Sequence, residues 1–263
     1  MARFSSYVAK QANADGFIRY TDEEHARWQT LMQRQYEVLP RYAAPVYLEA
    51  LERLQIPQDH IPQCAEVSAR LLESSGWRVV PVPALIDFAG FFVMLANRQF
   101  PAASFIRSAQ EMDYLEEPDI FHEILGHAPL LSDPEYASFV QAYGAAGCRA
   151  KPEQRVWLAR LFWFTVEFGL IQTDAGIRAF GAGIVSSRQE LVYSVVDPGV
   201  ERRTFDVIDI LRTPYYIDIL QPIYYVLESL DQLFELTQRD LIPLIKTART
   251  LGLEAIPCDR RRA

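Results

Sequence analysis

The window Phe121-His122-Glu123-Ile124-Leu125-Gly126-His127, with Glu167 forty residues beyond its second histidine, constrains this chain more than any other feature. Two imidazoles and one carboxylate are the ligand set of a non-haem ferrous site with open coordination positions, the kind that activates dioxygen. Used that way, they oblige the fold to return residue 167 to residues 122 and 127. The histidines are five apart, which on a straight α-helix separates them by about 140°. The His-Glu-x-x-His motif of metalloproteases needs a spacing of four, so Glu123 does not take that motif's general-base role and a protease is excluded. Both rings reach one metal only if the helix is short or loosened near its end, and Gly126 with Pro129 supplies both conditions. Gly126 also falls between the two histidines around the helix, where no side chain crowds the approach, and the pair stands opposite Ile120, Ile124 and Leu125. The chain has four histidines, and two fall in this window. The competing reading is a satisfied, partly buried histidine pair, with Glu167 a helix-end charge. Against it, Phe164, Val166 and Phe168 around Glu167 make an unpaired carboxylate costly and favour a cationic partner.

The rest of the chain narrows the class. With 263 residues, half of them hydrophobic, it can bury a sizeable core and reads as one domain over 1–263. A formal net charge of −8 repels a phosphate backbone, and the one basic cluster, Arg260 to Arg262, reads as a solvated tail, so no nucleic-acid partner is expected. Cys64, Cys148 and Cys258 are odd in number and far apart, as in reduced thiols of a cytoplasmic protein. No apolar segment follows Met1 to Tyr7 as a secretion signal requires. The longest uncharged apolar stretch, Phe88 to Ala96, is too short to span a bilayer.

Local patterns are mostly helical. Thr21-Asp22-Glu23-Glu24 has the form of a capping box, with Trp28, Leu31, Met32 and Tyr36 following at helical spacing. Pro45, Pro62, Pro134 and Pro152 each stand where a first helical turn tolerates proline. The helix from Pro152 carries Trp157, Leu161, Phe164 and Phe168 to Gly169, with Glu167 near its end. Strands are expected over Trp77 to Val82, at Ser104-Phe105-Ile106 and over Ile223 to Val226, and further helices over 229–236 and after Pro243. The fold class is therefore mainly α with minor β, an α+β arrangement.

Longer stretches carry a resemblance. Phe105-Ile106-Arg107, then Asp113 through Glu123 to Pro129-Leu130, then Phe162 to Leu170, Phe180 to Ser187 and Gln221 to Val226, closely resemble the pterin-dependent aromatic amino acid hydroxylases over roughly residues 77–230. The resemblance implies that family's catalytic-domain fold. It makes His122, His127 and Glu167 the ligands of Fe(2+), and Glu123 an outer carboxylate near a tetrahydropterin and the metal. Arg107 becomes the partner of the substrate carboxylate, a task suited to a planar guanidinium. Trp163, one turn before Glu167, becomes an aromatic wall against the substrate ring, and Gly183, Ser186 and Glu190 shape the amino acid end of its pocket. Phe91 is placed against the pterin, with Leu85 and Ile86 offering backbone hydrogen bonds. Read without the resemblance, Phe91 joins Phe88, Phe92 and Leu95 in an ordinary apolar stripe.

There are departures from the family pattern. Ala84 and Phe88 stand where animal members carry glycine and serine, and Leu115 where animal phenylalanine enzymes carry threonine. The chain looks like the short bacterial form, without the N-terminal regulatory domain and C-terminal oligomerisation helix of animal members, and is expected to be a monomer. Phenylalanine is the expected substrate, with dioxygen as co-substrate. Trp163 resembles the phenylalanine and tyrosine enzymes, whereas tryptophan enzymes tend to carry phenylalanine there. Tryptophan hydroxylation is the alternative within the family. Outside it, a zinc hydrolase using the same ligands and a helical binding protein with a merely structural polar trio stay open.

Overall fold

Paired side-chain and backbone hydrogen bonds start the first helix, Asp22–Tyr36: Thr21 Oγ1 accepts from the Glu24 N–H at 3.3 Å, and Glu24 Oε2 accepts from the Thr21 N–H at 2.7 Å. The fold is that of a computed structural model, which describes residues 7–14, 16–82, 86–113, 115 and 117–255. Ala84, Leu85, Cys258 and Arg260 to Arg262 lie outside the described residues.

Proline opens helices much as its missing N–H and set φ dictate. Pro45–Leu54, Pro134–Arg149 and Pro152–Phe162 all begin on proline. At Pro134 the Asp133 carboxylate adds a cap, accepting from the N–H groups of Glu135 and Tyr136 at 3.0 Å. Pro62 stands just outside its helix, Cys64–Ser74, and Gln63 and Glu66 form the capping box there. The C-terminal helices run over Asp231–Thr237 and Leu241–Leu251, the second starting two residues before Pro243.

Strands β1 (Arg78–Val82) and β2 (Gln99–Ala103) pair in parallel across the helix Phe88–Ala96. The expected strand at Ser104-Phe105-Ile106 is displaced, because β2 ends at Ala103. Beyond that point the backbone is claimed by other partners: the Ser104 carbonyl accepts from the Tyr20 hydroxyl, the Phe105 carbonyl from the Ile120 N–H, and the Arg107 N–H donates to Asp119. A second sheet joins β3 (Gly169–Thr173), β4 (Gly176–Ala179), β5 (Glu201–Thr204) and β6 (Ile223–Leu227) in the order β4-β3-β6-β5. Only the β3–β4 hairpin is antiparallel. Between these strands lie the helices Ala182–Val185, Arg188–Val196 and Val207–Arg212.

Buried apolar side chains from Ile18 to Ala248 join one continuous core. Its tightest helix contact sets Pro134–Arg149 on Phe88–Ala96, and Gly144 permits it: a Cβ there would lie 2.5 Å from the Ala96 nitrogen and 2.7 Å from Leu95 Cβ. No rotamer relieves a clash with backbone, so Gly144→Ala is expected to cost at least about 1–3 kcal/mol. A urea midpoint equal to wild type would overturn that expectation.

Candidate metal centre

The histidine window answers its own geometric problem with a wider turn. His122–His127 is π-helical, and the Ala128 N–H bonds to the Glu123 carbonyl five residues back. A turn closed on the fifth residue brings side chains five apart towards one face, where an α-helix keeps them apart. Gly126 serves a different purpose from the one the spacing suggested. A Cβ there would lie 2.9 Å from the Ala182 carbonyl oxygen, so the glycine admits the helix Ala182–Val185 against the π turn.

The segment that carries Glu167 is built the same way. The helix Pro152–Phe162 passes into a π turn over Trp163–Glu167, closed by the Phe168 N–H on the Trp163 carbonyl at 2.7 Å. Thr165 Oγ1 donates to the Leu161 carbonyl at 2.6 Å, a side-chain bond that competes with the helical ladder at this point. Glycines then let the next segment close on it: a Cβ at Gly181 would lie 2.5 Å from the Glu167 carbonyl oxygen, and one at Gly183 would lie 2.8 Å from Phe168 Cζ.

Three donors converge as a result. His127 Nε2 lies 3.1 Å from His122 Nε2 and 2.9 Å from Glu167 Oε1, and His122 Nε2 lies 3.7 Å from Glu167 Oε2. An ion about 2.1 Å from each of three donors at right angles would separate them by about 3 Å, so the trio fits one face of a six-coordinate cation. His122, Glu123 and His127 also bring one donor atom each within 4.8 Å of one another. Glu123 is nevertheless the poorer third ligand: its Oε2 is 4.0 Å from His127 Nε2. Burial, with the Glu167 and Asp119 charges adding to it, pushes the Glu123 carboxyl well above the ordinary carboxylate range. Glu167 has the opposite outcome. Burial raises it, but the imidazoles of His127 and His122 and the Gly183 N–H outweigh that and hold it below its usual value, charged.

Ser186 sets the orientation of the His122 ring. Its hydroxyl donates to the Ala182 carbonyl at 2.7 Å, so its oxygen accepts from His122 Nδ1–H at 2.9 Å. That leaves the Nε2 lone pair aimed into the centre, the arrangement by which an outer hydrogen bond selects a ligand's tautomer. Burial, with the neighbouring His127 adding to it, pushes His122 down to about 4, so the ring is neutral at pH 7. Ser186→Ala is expected to weaken divalent-metal affinity by about 10–100-fold. Unchanged affinity in a metal titration would count against the orienting role.

Asp119 was not singled out by sequence, although it lies three residues before His122. It is fully buried and accepts from Arg107 Nε at 2.8 Å and Nη2 at 2.9 Å, while its Oδ1 also accepts from the His122 N–H at 3.0 Å. One carboxylate thereby ties Arg107 to the first residue of the π turn.

The predicted residues divide between two cavities. His122, Glu123, His127 and Glu167 line one of about 310 Å³, together with Phe91, Ile86 and Trp163. Arg107 and Ser186 line the other, of about 760 Å³, on the far side of the His122 ring. Trp163 is stacked between Phe168 at 4.5 Å and Tyr215 at 4.3 Å. The ring of Phe91 meets Phe162 edge-on at 5.3 Å. Glu190 is buried beside neither cavity: Oε1 accepts from the Tyr224 hydroxyl and from the Gln221 N–H, and burial raises it to about 7 against those bonds. The other two histidines stay apart from the centre: His60 is exposed, and half-buried His25 accepts from the Ile61 N–H at 3.1 Å.

Comparisons with known proteins agree in direction. Residues 5–244 match the family profile of the biopterin-dependent aromatic amino acid hydroxylases. The phenylalanine-4-hydroxylase of Pseudomonas aeruginosa is 50% identical over 251 residues, 95% of this chain and 95% of its own. Among solved structures, the apo form of the cold-active phenylalanine hydroxylase from Colwellia psychrerythraea 34H is similar with a TM-score of 0.94 at 47% identity, covering 98% of this chain and 100% of the other. Phenylalanine hydroxylase of Chromobacterium violaceum with bound oxidised Fe(III) gives 0.87 at 43% identity, covering 92% and 89%.

Proposed function

The chain belongs to the biopterin-dependent aromatic amino acid hydroxylases, and on that premise we infer that it hydroxylates L-phenylalanine to L-tyrosine with dioxygen, using ferrous iron and a tetrahydropterin. The observation that carries the reading is the convergence of His122, His127 and Glu167 at the separations one cation requires. Iron and the tetrahydropterin, when bound, supply the electrons and the open coordination positions that dioxygen activation needs.

The chain's own residues hold, orient and enclose. His122 and His127 offer ring nitrogens and Glu167 one negative charge, a set that binds a divalent ion while leaving coordination positions to other ligands. Glu123, its carboxyl raised by burial beside the centre, is placed to hold a proton at its carboxyl and to share it in a hydrogen bond with a bound water or a pterin. Phe91, with Phe162 behind it, presents an aromatic face for stacking on the pterin. Ile86 borders the same cavity as a backbone partner; Leu85, assigned the same role by resemblance, is outside the described residues.

Trp163 walls the substrate ring. Arg107 commits Nε and Nη2 to Asp119, so its Nη1 edge is the part assigned to the substrate carboxylate. Ser186 lines the larger cavity at the amino acid end, and Gly183 and Glu190, which line neither cavity, are assigned to that end by resemblance, Gly183 at a point where a Cβ would lie 2.8 Å from Phe168 Cζ and 3.2 Å from the Glu167 carbonyl oxygen. The apolar wall keeps water away from the reacting ring.

We read 1–263 as one catalytic domain, which the continuous core from Ile18 to Ala248 supports, and as a monomer. Free Cys64 and Cys148 suit a cytoplasmic location. Among the described residues no helix is long and apolar enough to cross a membrane. Tyrosine appearing from phenylalanine only when ferrous iron, tetrahydropterin and air are all present is the expected result. Folded, iron-loaded protein that makes none would overturn the substrate assignment and turn attention to tryptophan.

A further inference from the structure

We propose that Gln221 is a positioning residue for the hydroxylation: it sets the position of the Trp163 indole within its own plane and thereby where the substrate ring lies relative to the metal centre. The proposal rests on the reading of Trp163 as the wall of the ring pocket. Gln221 is buried, 2% exposed, and lies 58 residues from Trp163 in sequence, yet its Oε1 accepts from the indole Nε1–H at 3.1 Å.

The orientation of the carboxamide follows from its neighbours. Oε1 also faces the Tyr216 N–H at 3.4 Å, while Nε2 donates to the carbonyls of Tyr216 at 2.6 Å and Ile219 at 3.1 Å. Two donors on one side and two acceptors on the other allow no flipped amide. The backbone is held as well, since the Gln221 N–H donates to Glu190 Oε1 at 3.1 Å. Gln221 is therefore anchored from every direction and passes that rigidity to a single movable group, the indole.

Stacking alone cannot do this. The rings of Phe168 and Tyr215 lie 28° and 19° from the indole plane, and parallel stacks leave a ring free to slide and to turn within its own plane. One hydrogen bond at the indole edge removes that freedom. Trp163 shares the cavity with His122, His127 and Glu167, and with its faces covered by Phe168 and Tyr215 it meets a substrate ring by its edge, so its in-plane position sets where that edge stands and hence where the ring beside it lies relative to the centre.

The variant to make is Gln221→Met, similar in length and unable to accept from the indole. Three readings are compared with wild type: iron bound per chain, tyrosine formed per tetrahydropterin oxidised, and the indole N–H resonance of Trp163 in 15N-tryptophan-labelled full-length protein, assigned by its absence in Trp163→Phe. Expected are unchanged iron, a shifted and faster-exchanging indole resonance, and a roughly tenfold lower tyrosine yield per pterin, the scale of a buried donor left unpaired. A purely structural role would lower stability without uncoupling pterin oxidation from hydroxylation. Trp163→Phe should be uncoupled as well, with little added by Gln221→Met in that background. Wild-type coupling in Gln221→Met, or strict additivity in the double variant, overturns the proposal. If Gln221→Met does not fold, Trp163→Phe decides, because full coupling without the indole N–H leaves Gln221 nothing to position. A wild-type chain that forms no tyrosine overturns the functional reading and the proposal with it. That result is distinct from failure of the proposal alone, in which wild type and variant are equally coupled.

Discussion

Glu167→Ala is expected to lose iron and tyrosine formation together. Glu167 is the one carboxylate of the three donors, its carboxyl is held below the usual value and so carries a charge, and the His122 ring is neutral at pH 7. Without it only the two imidazoles face a divalent ion. The loss of affinity should exceed the roughly 10–100-fold that removal of a mere outer partner produces. The measurement is iron bound per chain after loading and desalting, followed by tyrosine formation with tetrahydropterin in air. Glu167→Gln sharpens it, because the amide keeps the shape and an oxygen for the Gly183 N–H while removing the charge. An alanine variant that retains full iron would show that the convergence at 2.9–3.7 Å is a hydrogen-bonded cluster and not a ligand set.

Arg107→Met should be the most destabilising of the site substitutions. It leaves the Asp119 carboxylate buried with no exposure and without its guanidinium, and breaking one side of a buried pair costs about 3–5 kcal/mol. The pH dependence carries a sign. Burial raises Asp119, but Arg107 outweighs it and holds the carboxyl below the ordinary aspartate value of 3.8, so the pair's contribution is present above that value and is lost as pH falls through the folded one. In Arg107→Met the same carboxyl is raised instead. The deficit against wild type should then be largest at neutral pH and shrink towards pH 4. Denaturant unfolding at pH 7 and pH 4.5 checks this, and a deficit independent of pH would show that lost packing, not the stranded charge, dominates. Arg107→Lys does not rescue, because an ammonium cannot meet both oxygens as the planar fork does.

The helical frame and the histidine pair were legible in the sequence because capping boxes, prolines and histidine spacing are local signals. The displaced and unread strands had no such signal. β5 is Glu201-Arg202-Arg203-Thr204, a charged run that becomes a strand only by pairing with β6 some twenty residues later. The widened turns were half legible: a spacing of five required a loosened helix, but which hydrogen bonds shift depends on Ala182 against Gly126 and on Gly181 against Glu167, contacts between distant segments. Asp119 and Gln221 escaped for the same reason. Each is an ordinarily exposed residue type made internal by a partner 12 or 58 positions away. A zinc hydrolase on the same donors, open at the level of residue spacing, has no observation in the fold that favours it.

Both segments that carry metal donors contain one residue more than regular α-helical winding would use. Losing a single residue from either would let the strand of hydrogen bonds revert to the commoner, better-bonded helix, with His127 or Glu167 swung roughly 100° away from its companions. Such a deletion would dismantle the centre and disturb the close contacts of Gly126 with Ala182 or of Gly181 with Glu167. The extra residue in each stretch is therefore demanded by the geometry of the metal donors and not by regular helical winding.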